Sequence, residues 1–98
     1  MNIITAQELK AKIENNDSFQ LIDVREDYEY QDSNIGGINI SLENVLNSLD
    51  KIEKDKQIIF CCRTGKRSAA IIHTLERKLQ MKNLFSLQGG LQSYFEIA

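Results

Sequence analysis

Short apolar runs alternate with segments of helical periodicity along the whole chain. The clearest runs are Phe19–Val24, Gln57–Cys62 and Asn83–Leu87, whose length and apolar content favour buried strands over helices. A briefer run, Ile38–Ile40, follows two glycines that permit a tight turn, and it predicts one further strand.

The intervals between these strands carry helix signals. Thr5 and Glu8 have the spacing of a capping box, and Leu9 and Ile13 fall on one face of a helix predicted over 6–14. Further helices are predicted over 25–32, from Ser41 through Leu49, from Ser68 to about Lys78 and over 91–98. Strands that alternate with helices predict an α/β fold with a parallel sheet. Without repeats or linkers, residues 1–98 are expected to form one domain.

The composition of the chain is that of a small globular domain. Its 98 residues are 42% hydrophobic and 27% charged, which allows one modest core. The 12 Lys and Arg against 14 Asp and Glu give a net charge of −2, which argues against nucleic acid or an anionic membrane as a partner. Residues 1–8 lack the features of a secretory signal, and no apolar run approaches the ~20 residues of a membrane span. The sequence therefore predicts a cytoplasmic location.

The candidate chemistry lies in the loop that begins with two adjacent cysteines. Cys61 and Cys62 cannot join distant segments, so each is either a reactive thiol or a buried one. Cys62 ends a predicted strand, and α/β folds bind ligands at that edge of the sheet. Gly65 lets the following backbone curl, and three cations accompany it: Arg63, Lys66 and Arg67. Loop amides and the positive end of the next helix favour an anion, so a nucleophile is favoured over a structural cysteine before a simple turn.

The segment from Cys62 to Ser68 resembles the active-site loop of rhodaneses, the thiosulfate and single-domain sulfurtransferases. Three other segments resemble the same family in order and spacing: Leu21–Glu26, Asn34–Ile40 and Leu87–Leu91. Together the four segments cover nearly the whole chain.

This resemblance implies a three-layer fold, with a parallel sheet flanked by helices on both faces, and neither a metal nor an organic cofactor. It implies that Cys62 is a catalytic nucleophile that takes a sulfane sulfur from a donor such as thiosulfate and holds it as a persulfide. The donor would be a small molecule or a persulfide-bearing protein, and the thiophilic acceptor could itself be a protein. The anion- and substrate-binding loop would consist of Arg63, Thr64, Gly65, Lys66, Arg67 and Ser68.

The chain departs from the family pattern at four positions. Asn34, Ser41 and Tyr94 stand where many members have His, Pro and Trp, all at structural positions. Cys61 stands where an aromatic residue is common, and its thiol could attack a persulfide on Cys62 and release sulfide. Strand alternation favours the other interpretation, in which Cys61 points away into the core.

Two alternative functions stay open at this stage. Phosphatases and arsenate reductases of the same fold have five residues between the cysteine and the arginine. That count holds from Cys61 to Arg67, whereas four residues separate Cys62 from Arg67. Gly65 lies three residues after Cys62, as in the sulfurtransferase pattern, and this favours sulfur. A non-catalytic module that only binds a partner is the second alternative, and the intact loop argues for an enzyme.

Residues outside the loop are expected to serve the fold. Asp23 and Arg25 predict a hydrogen-bonded or ionic support at a strand end. Aromatic residues are predicted to serve packing: Tyr28, Tyr30, Tyr94 and Phe95. Four acidic residues are expected to form a solvated face that could dock a basic partner: Glu26, Asp27, Glu29 and Asp32.

Overall fold

The computed structural model describes residues 1–97, which contain five strands and four α-helices. The strands are β1 (Asn2–Ile4), β2 (Phe19–Asp23), β3 (Ile38–Asn39), β4 (Gln57–Cys61) and β5 (Leu84–Leu87). They form one sheet in the order β1-β5-β4-β2-β3, and every neighbouring pair is parallel. The predicted α/β fold with a parallel sheet is therefore confirmed.

Helices cover both faces of the sheet, as predicted. They are α1 (Ala6–Glu14), α2 (Asp27–Asp32), α3 (Lys66–Leu79) and α4 (Gly90–Ile97). Helices α1 and α4 pack on one face, and α3 packs on the other beside the 3-10 segments Leu42–Asn47 and Leu49–Lys51. No helix in the described part of the chain is both long enough and apolar enough to cross a membrane.

Alternation along β4 divides the core into two apolar clusters. Ile58 and Phe60 point toward α3, and Cys62 continues this set just beyond the strand. Ile59 and Cys61 point toward α1 and α4. The two cysteines therefore belong to opposite faces of the sheet, as alternation predicts.

Local signals explain the first helix. The Thr5 hydroxyl accepts the amide of Glu8 at 3.1 Å, and the Glu8 carboxylate accepts the amide of Thr5 at 2.9 Å. This reciprocal capping box satisfies two amides that have no partner within the helix. Leu9 then buries its side chain under the sheet, which confirms the predicted helix over 6–14.

The observed elements differ from the predicted ones at several points: the helix predicted over 25–32 begins at Asp27, and residue 98 of the helix predicted over 91–98 lies outside the described residues. The segment after Ser41 forms 3-10 turns instead of one α-helix, and the Ser41 hydroxyl accepts the Asn44 side-chain amide at 2.9 Å instead of capping a backbone amide. Helix α3 begins at Lys66, two residues before the predicted Ser68. Strand β1 was not predicted, because three residues are too few to show a period.

Candidate active site

The loop between β4 and α3 wraps around the sulfur of Cys62. The amide of Gly65 donates to Cys62 Sγ at 3.1 Å, and the amide of Ser68 donates to it at 3.4 Å. Gly65 has a φ of +103°, a left-handed conformation that glycine adopts without a Cβ penalty. The predicted curl of the loop is thus observed, and two of its amides point at the sulfur.

A pair of serine hydroxyls lies beside this sulfur. Ser68 Oγ is 3.6 Å from Cys62 Sγ and 3.1 Å from the Gly65 carbonyl oxygen, to which it donates. It is also 3.0 Å from Ser86 Oγ on β5. All three of these cysteine and serine side chains are buried, with Cys62 only 1% exposed. The sulfur therefore has a polar environment within the fold, and almost none of the cysteine is exposed to solvent.

The start of α4 fixes the backbone of the loop. The amide of Leu91 donates to the Cys62 carbonyl at 2.8 Å, and the amide of Gln92 donates to the Arg63 carbonyl at 3.0 Å. A Cβ added to Gly90 would lie 2.6 Å from the Cys62 carbonyl oxygen and would overlap the Arg63 carbonyl. Gly90 therefore permits α4 to approach the backbone of the loop closely. The sequence shows Gly90 only as one of two glycines after a strand, which does not predict this contact.

The loop cations do not all face the sulfur as free charges. Arg63 and Lys66 are exposed, as is Thr64. Arg67 instead donates to the Glu29 carboxylate on α2, through Nη1 at 2.7 Å and Nη2 at 3.2 Å. The hydrogen bond from Arg67 lowers the pKa of Glu29 to about 2, and further hydrogen bonding and charge contribute to the shift. The expectation that Glu29 belongs to a solvated acidic face was therefore wrong, and the charge of Arg67 is compensated.

The predicted support at the end of β2 is a buried ion pair. Arg25 Nη2 lies 2.8 Å from Asp23 Oδ2, and Arg25 Nε and its backbone amide also donate to this carboxylate. Arg25 Nη2 donates further to the Ser33 carbonyl at 2.7 Å, so the pair reaches the end of α2. Because both charges are buried and hydrogen-bonded, the pair holds the segments that surround the site.

Cys61 has different surroundings from its neighbour. Its side chain is fully buried in the apolar cluster that includes Leu9, Ile59 and Leu91. Burial raises the pKa of the Cys61 thiol well above its ordinary value, and the negative charge of Asp23 adds to the effect. Cys61 is therefore held as a neutral thiol outside the loop that surrounds the Cys62 sulfur.

An open cleft of about 1000 Å³ adjoins the loop at Arg63. Tyr28 and Phe95 contribute to its walls, with 74% and 45% of their surfaces exposed. The expectation that Tyr28 serves packing was wrong, whereas Phe95 also packs edge-to-face against Tyr94, with ring centroids 6.3 Å apart. Asp32 and Glu96 give the cleft two acidic side chains.

The sequence and the fold were compared with known proteins. The family model described as "Rhodanese-like domain" matches residues 5–96. The chain belongs to the rhodanese-like domain family. It is 32% identical over 92 residues to "Putative sulfurtransferase YtwF" of Bacillus subtilis (strain 168), covering 93% of this chain and 87% of that protein. Other relatives named as adenylyltransferase/sulfurtransferases are much longer, and this rhodanese-like domain spans 24% of their length.

Solved structures agree with this assignment. A rhodanese-related protein from Thermoplasma volcanium superposes with a TM-score of 0.87 at 30% identity, covering 100% of this chain and 94% of that one. A Rhodopseudomonas palustris CGA009 protein of unknown function, described as a possible tyrosine phosphatase, superposes with a TM-score of 0.87 at 20% identity, covering 99% and 81%. At that identity the second likeness shows the shared fold alone. Sulfur transfer is the general activity that membership of the family supports.

Proposed function

We propose that the chain is a sulfurtransferase in which Cys62 carries sulfane sulfur as a persulfide. The observation that carries the proposal is the pair of amides, from Gly65 and Ser68, that donate to Cys62 Sγ at 3.1 and 3.4 Å. Hydrogen bonds from amides stabilise a thiolate or a persulfide anion, and the start of α3 contributes the positive end of its dipole. Arg63 and Lys66, exposed on the same loop, add positive charge for an anionic donor.

The proposed reaction has two displacement steps that balance. With thiosulfate as donor, the Cys62 thiolate attacks the outer sulfur, the S–S bond of thiosulfate breaks, and sulfite leaves with the bonding electron pair. An acceptor thiolate then attacks the terminal sulfur of the Cys62 persulfide, which regenerates the Cys62 thiolate and leaves the acceptor as a persulfide. Neither step needs an external oxidant or reductant.

Sulfur transfer is better supported than phosphate transfer. The phosphatase pattern has five residues between the cysteine and the arginine, which here makes Cys61 the nucleophile. Burial keeps the Cys61 thiol neutral, and this thiol lies on the face of the sheet opposite to the Cys62 loop. Cys62 has the loop amides, but only four residues separate it from Arg67, whose guanidinium is bound to Glu29. With 1% of its surface exposed, Cys62 suits attack on the protruding terminal sulfur of a sulfur donor better than attack on the central phosphorus atom of a phosphate ester.

The cleft beside Arg63 suits a protein as donor or acceptor. Thiosulfate occupies only a small part of about 1000 Å³, and the exposed rings of Tyr28 and Phe95 offer apolar contact to a polypeptide segment. Asp32 and Glu96 favour basic residues in such a segment, and Arg63 in the same cleft favours an acidic one. A small-molecule donor is the alternative, and direct comparison of loading by thiosulfate and by a persulfidated protein distinguishes the two.

The test is the intact mass of the protein after incubation with thiosulfate or a persulfide donor. We expect a gain of one sulfur atom that Cys62→Ser abolishes and Cys61→Ala retains. Subsequent cyanide should remove this sulfur as thiocyanate and return the original mass.

Three outcomes would contradict the proposal. Absence of both the adduct and thiocyanate with every donor would leave a module that only binds a partner. Sulfur loading that persists in Cys62→Ser would place the persulfide elsewhere. Hydrolysis of an aryl phosphate that is lost in Cys61→Ala and kept in Cys62→Ser would make the chain a phosphatase.

A further inference from the structure

Ser86 is a buried hydroxyl that the proposed reaction does not use. It lies on β5 directly across from Phe60 of β4, so its side chain points to the same face of the sheet as Cys62. Only 6% of Ser86 is exposed, and its Oγ is 3.0 Å from Ser68 Oγ. A valine or another apolar residue would satisfy a buried strand position without needing a partner, so the hydroxyl requires an explanation.

The arrangement of donors and acceptors fixes the direction of the hydrogen bonds. Among the described contacts, the Ser68 oxygen is the one acceptor within reach of the Ser86 proton. Ser86 therefore donates to Ser68, and this bond occupies one acceptor position on the Ser68 oxygen. The single proton of Ser68 is then directed to the Gly65 carbonyl at 3.1 Å or to Cys62 Sγ at 3.6 Å.

We infer that Ser86 is a positioning residue for Cys62, acting through the Ser68 hydroxyl. When Cys62 is a thiolate, the sulfur can only accept, and the charged acceptor draws the Ser68 proton away from the Gly65 carbonyl. Donation by Ser86 polarises the Ser68 hydroxyl and so strengthens the hydrogen bond that this hydroxyl donates to the thiolate. A neutral thiol gains less from a stronger donor, so donation by Ser86 favours the thiolate; its value for sulfur transfer rests on the function proposed above.

The test measures the rate at which iodoacetamide alkylates Cys62 as a function of pH, with Cys62→Ser as the blank for any reaction at Cys61. Ser86→Ala removes the donor that polarises the Ser68 hydroxyl, so we expect the midpoint of the alkylation profile to rise by about half a pH unit. The rate below the midpoint should fall about threefold, as expected for loss of one bond in a buried network. Ser86→Thr keeps the hydroxyl and should restore the wild-type profile.

Two further variants separate positioning from mere packing. Thr74→Ala deletes a hydroxyl on α3, the helix that carries Ser68. The Thr74 hydroxyl donates to the Ala70 carbonyl and does not contact Ser68, so the alkylation profile should not move. In a Ser68→Ala background, Ser86→Ala should cause no additional shift, because the hydroxyl through which Ser86 acts is absent.

Either of two results would overturn the inference: a Ser86→Ala profile that coincides with that of the wild type, or a shift of the same size when Ser68 is alanine. Should Ser86→Ala fail to fold, the comparison of Ser86→Cys, a weaker donor, with Ser86→Thr provides the same measurement. Alkylation needs no sulfur donor, so failure of sulfur loading would contradict the proposed function and leave this result intact.

Discussion

Cys61 and Cys62 are adjacent in the chain and have almost opposite chemical environments. Cys61 Sγ lies among apolar side chains under α1 and α4, closed at the strand end by the buried pair of Asp23 and Arg25. Cys62 Sγ lies on the other face of the sheet and accepts two backbone amides. Both cysteines are buried by area, with 0% and 1% of their surfaces exposed. Burial alone therefore does not distinguish an inert thiol from a candidate nucleophile; the polar groups around the sulfur do.

Two ion pairs near the cysteines also differ, both in burial and in how far apart their partners lie in the chain. Asp23 and Arg25 are neighbours in sequence whose side chains are 1% and 8% exposed, and they fix the end of one strand. Arg67 and Glu29 are 32% and 19% exposed, and they connect the loop helix α3 to α2. The pair of Asp23 and Arg25 thus joins residues two positions apart, whereas the pair of Arg67 and Glu29 joins two helices that are distant in sequence.

The largest expected difference between the two faces is in thiol reactivity. Iodoacetamide should alkylate Cys62 in the native protein at least about 1000-fold faster than Cys61, because the neutral Cys61 thiol becomes accessible only on opening of the core. Mass spectrometry should show one adduct in the native wild type and two adducts in denaturant. Rapid native labelling of Cys62→Ser would remove the distinction between the two environments.

Gly90→Ala tests whether the contact with α4 sustains the Cys62 face. The new Cβ would overlap the Cys62 and Arg63 carbonyls at a φ of +64°, so we expect a loss of about 3 kcal/mol in the free energy of unfolding. Urea denaturation measures the loss, and sulfur loading should fall with it. Gly36→Ala is the matched control: φ is +97°, nothing lies within 4 Å of the new Cβ, and about 1 kcal/mol is expected. Equal losses in the two variants would show that α4 does not approach the loop closely.

The smallest expected effect is the pH dependence of the Arg67 and Glu29 pair. The pKa of Glu29 is about 2 in the folded protein against 4.5 ordinarily, so the carboxylate stabilises the fold fully above about pH 4.5. This contribution is lost as the pH falls from about 4.5 to about 2. For a partly exposed pair we expect about 1 kcal/mol, seen as a shallower acid dependence of unfolding in Glu29→Gln.

Arg67→Met is the companion variant and should reproduce the same shallower slope. In the double variant the two effects should not add, because each removes the same interaction. A Glu29→Gln slope equal to that of the wild type would mean that the pair does not hold α2 to α3 in solution.

Sequence was sufficient where the signal is local. The capping box of Thr5 and Glu8 predicts α1, and the apolar run of β4 followed by Gly65 predicts the strand, the loop and the helix that surround Cys62. Alternation alone predicts that Cys61 faces the core. These features depend on residues within about one helical turn or one strand of each other.

Long-range contacts could not be predicted in this way. Arg67 was expected to supply free positive charge, yet its partner Glu29 is 38 positions earlier and is brought near by the packing of α2. Ser86 and Gly90 come after α3 in the chain, more than 20 residues from Cys62, and no local pattern links them to the loop. Tyr28 and Phe95 were assigned to packing because hydrophobicity does not specify which aromatic residues a small core leaves uncovered.

The two amides that α4 donates to the carbonyls of Cys62 and Arg63 also affect the order of folding. During synthesis, β4 and α3 emerge before β5 and α4, so the loop exists for a time without the helix that fixes it. Contacts between such distant segments form late, because closing the intervening chain costs entropy before the contacts repay it. We therefore expect the loop around Cys62 to be fixed only when α4 docks, so that the amides of Gly65 and Ser68 surround the sulfur less rigidly in an unfinished chain.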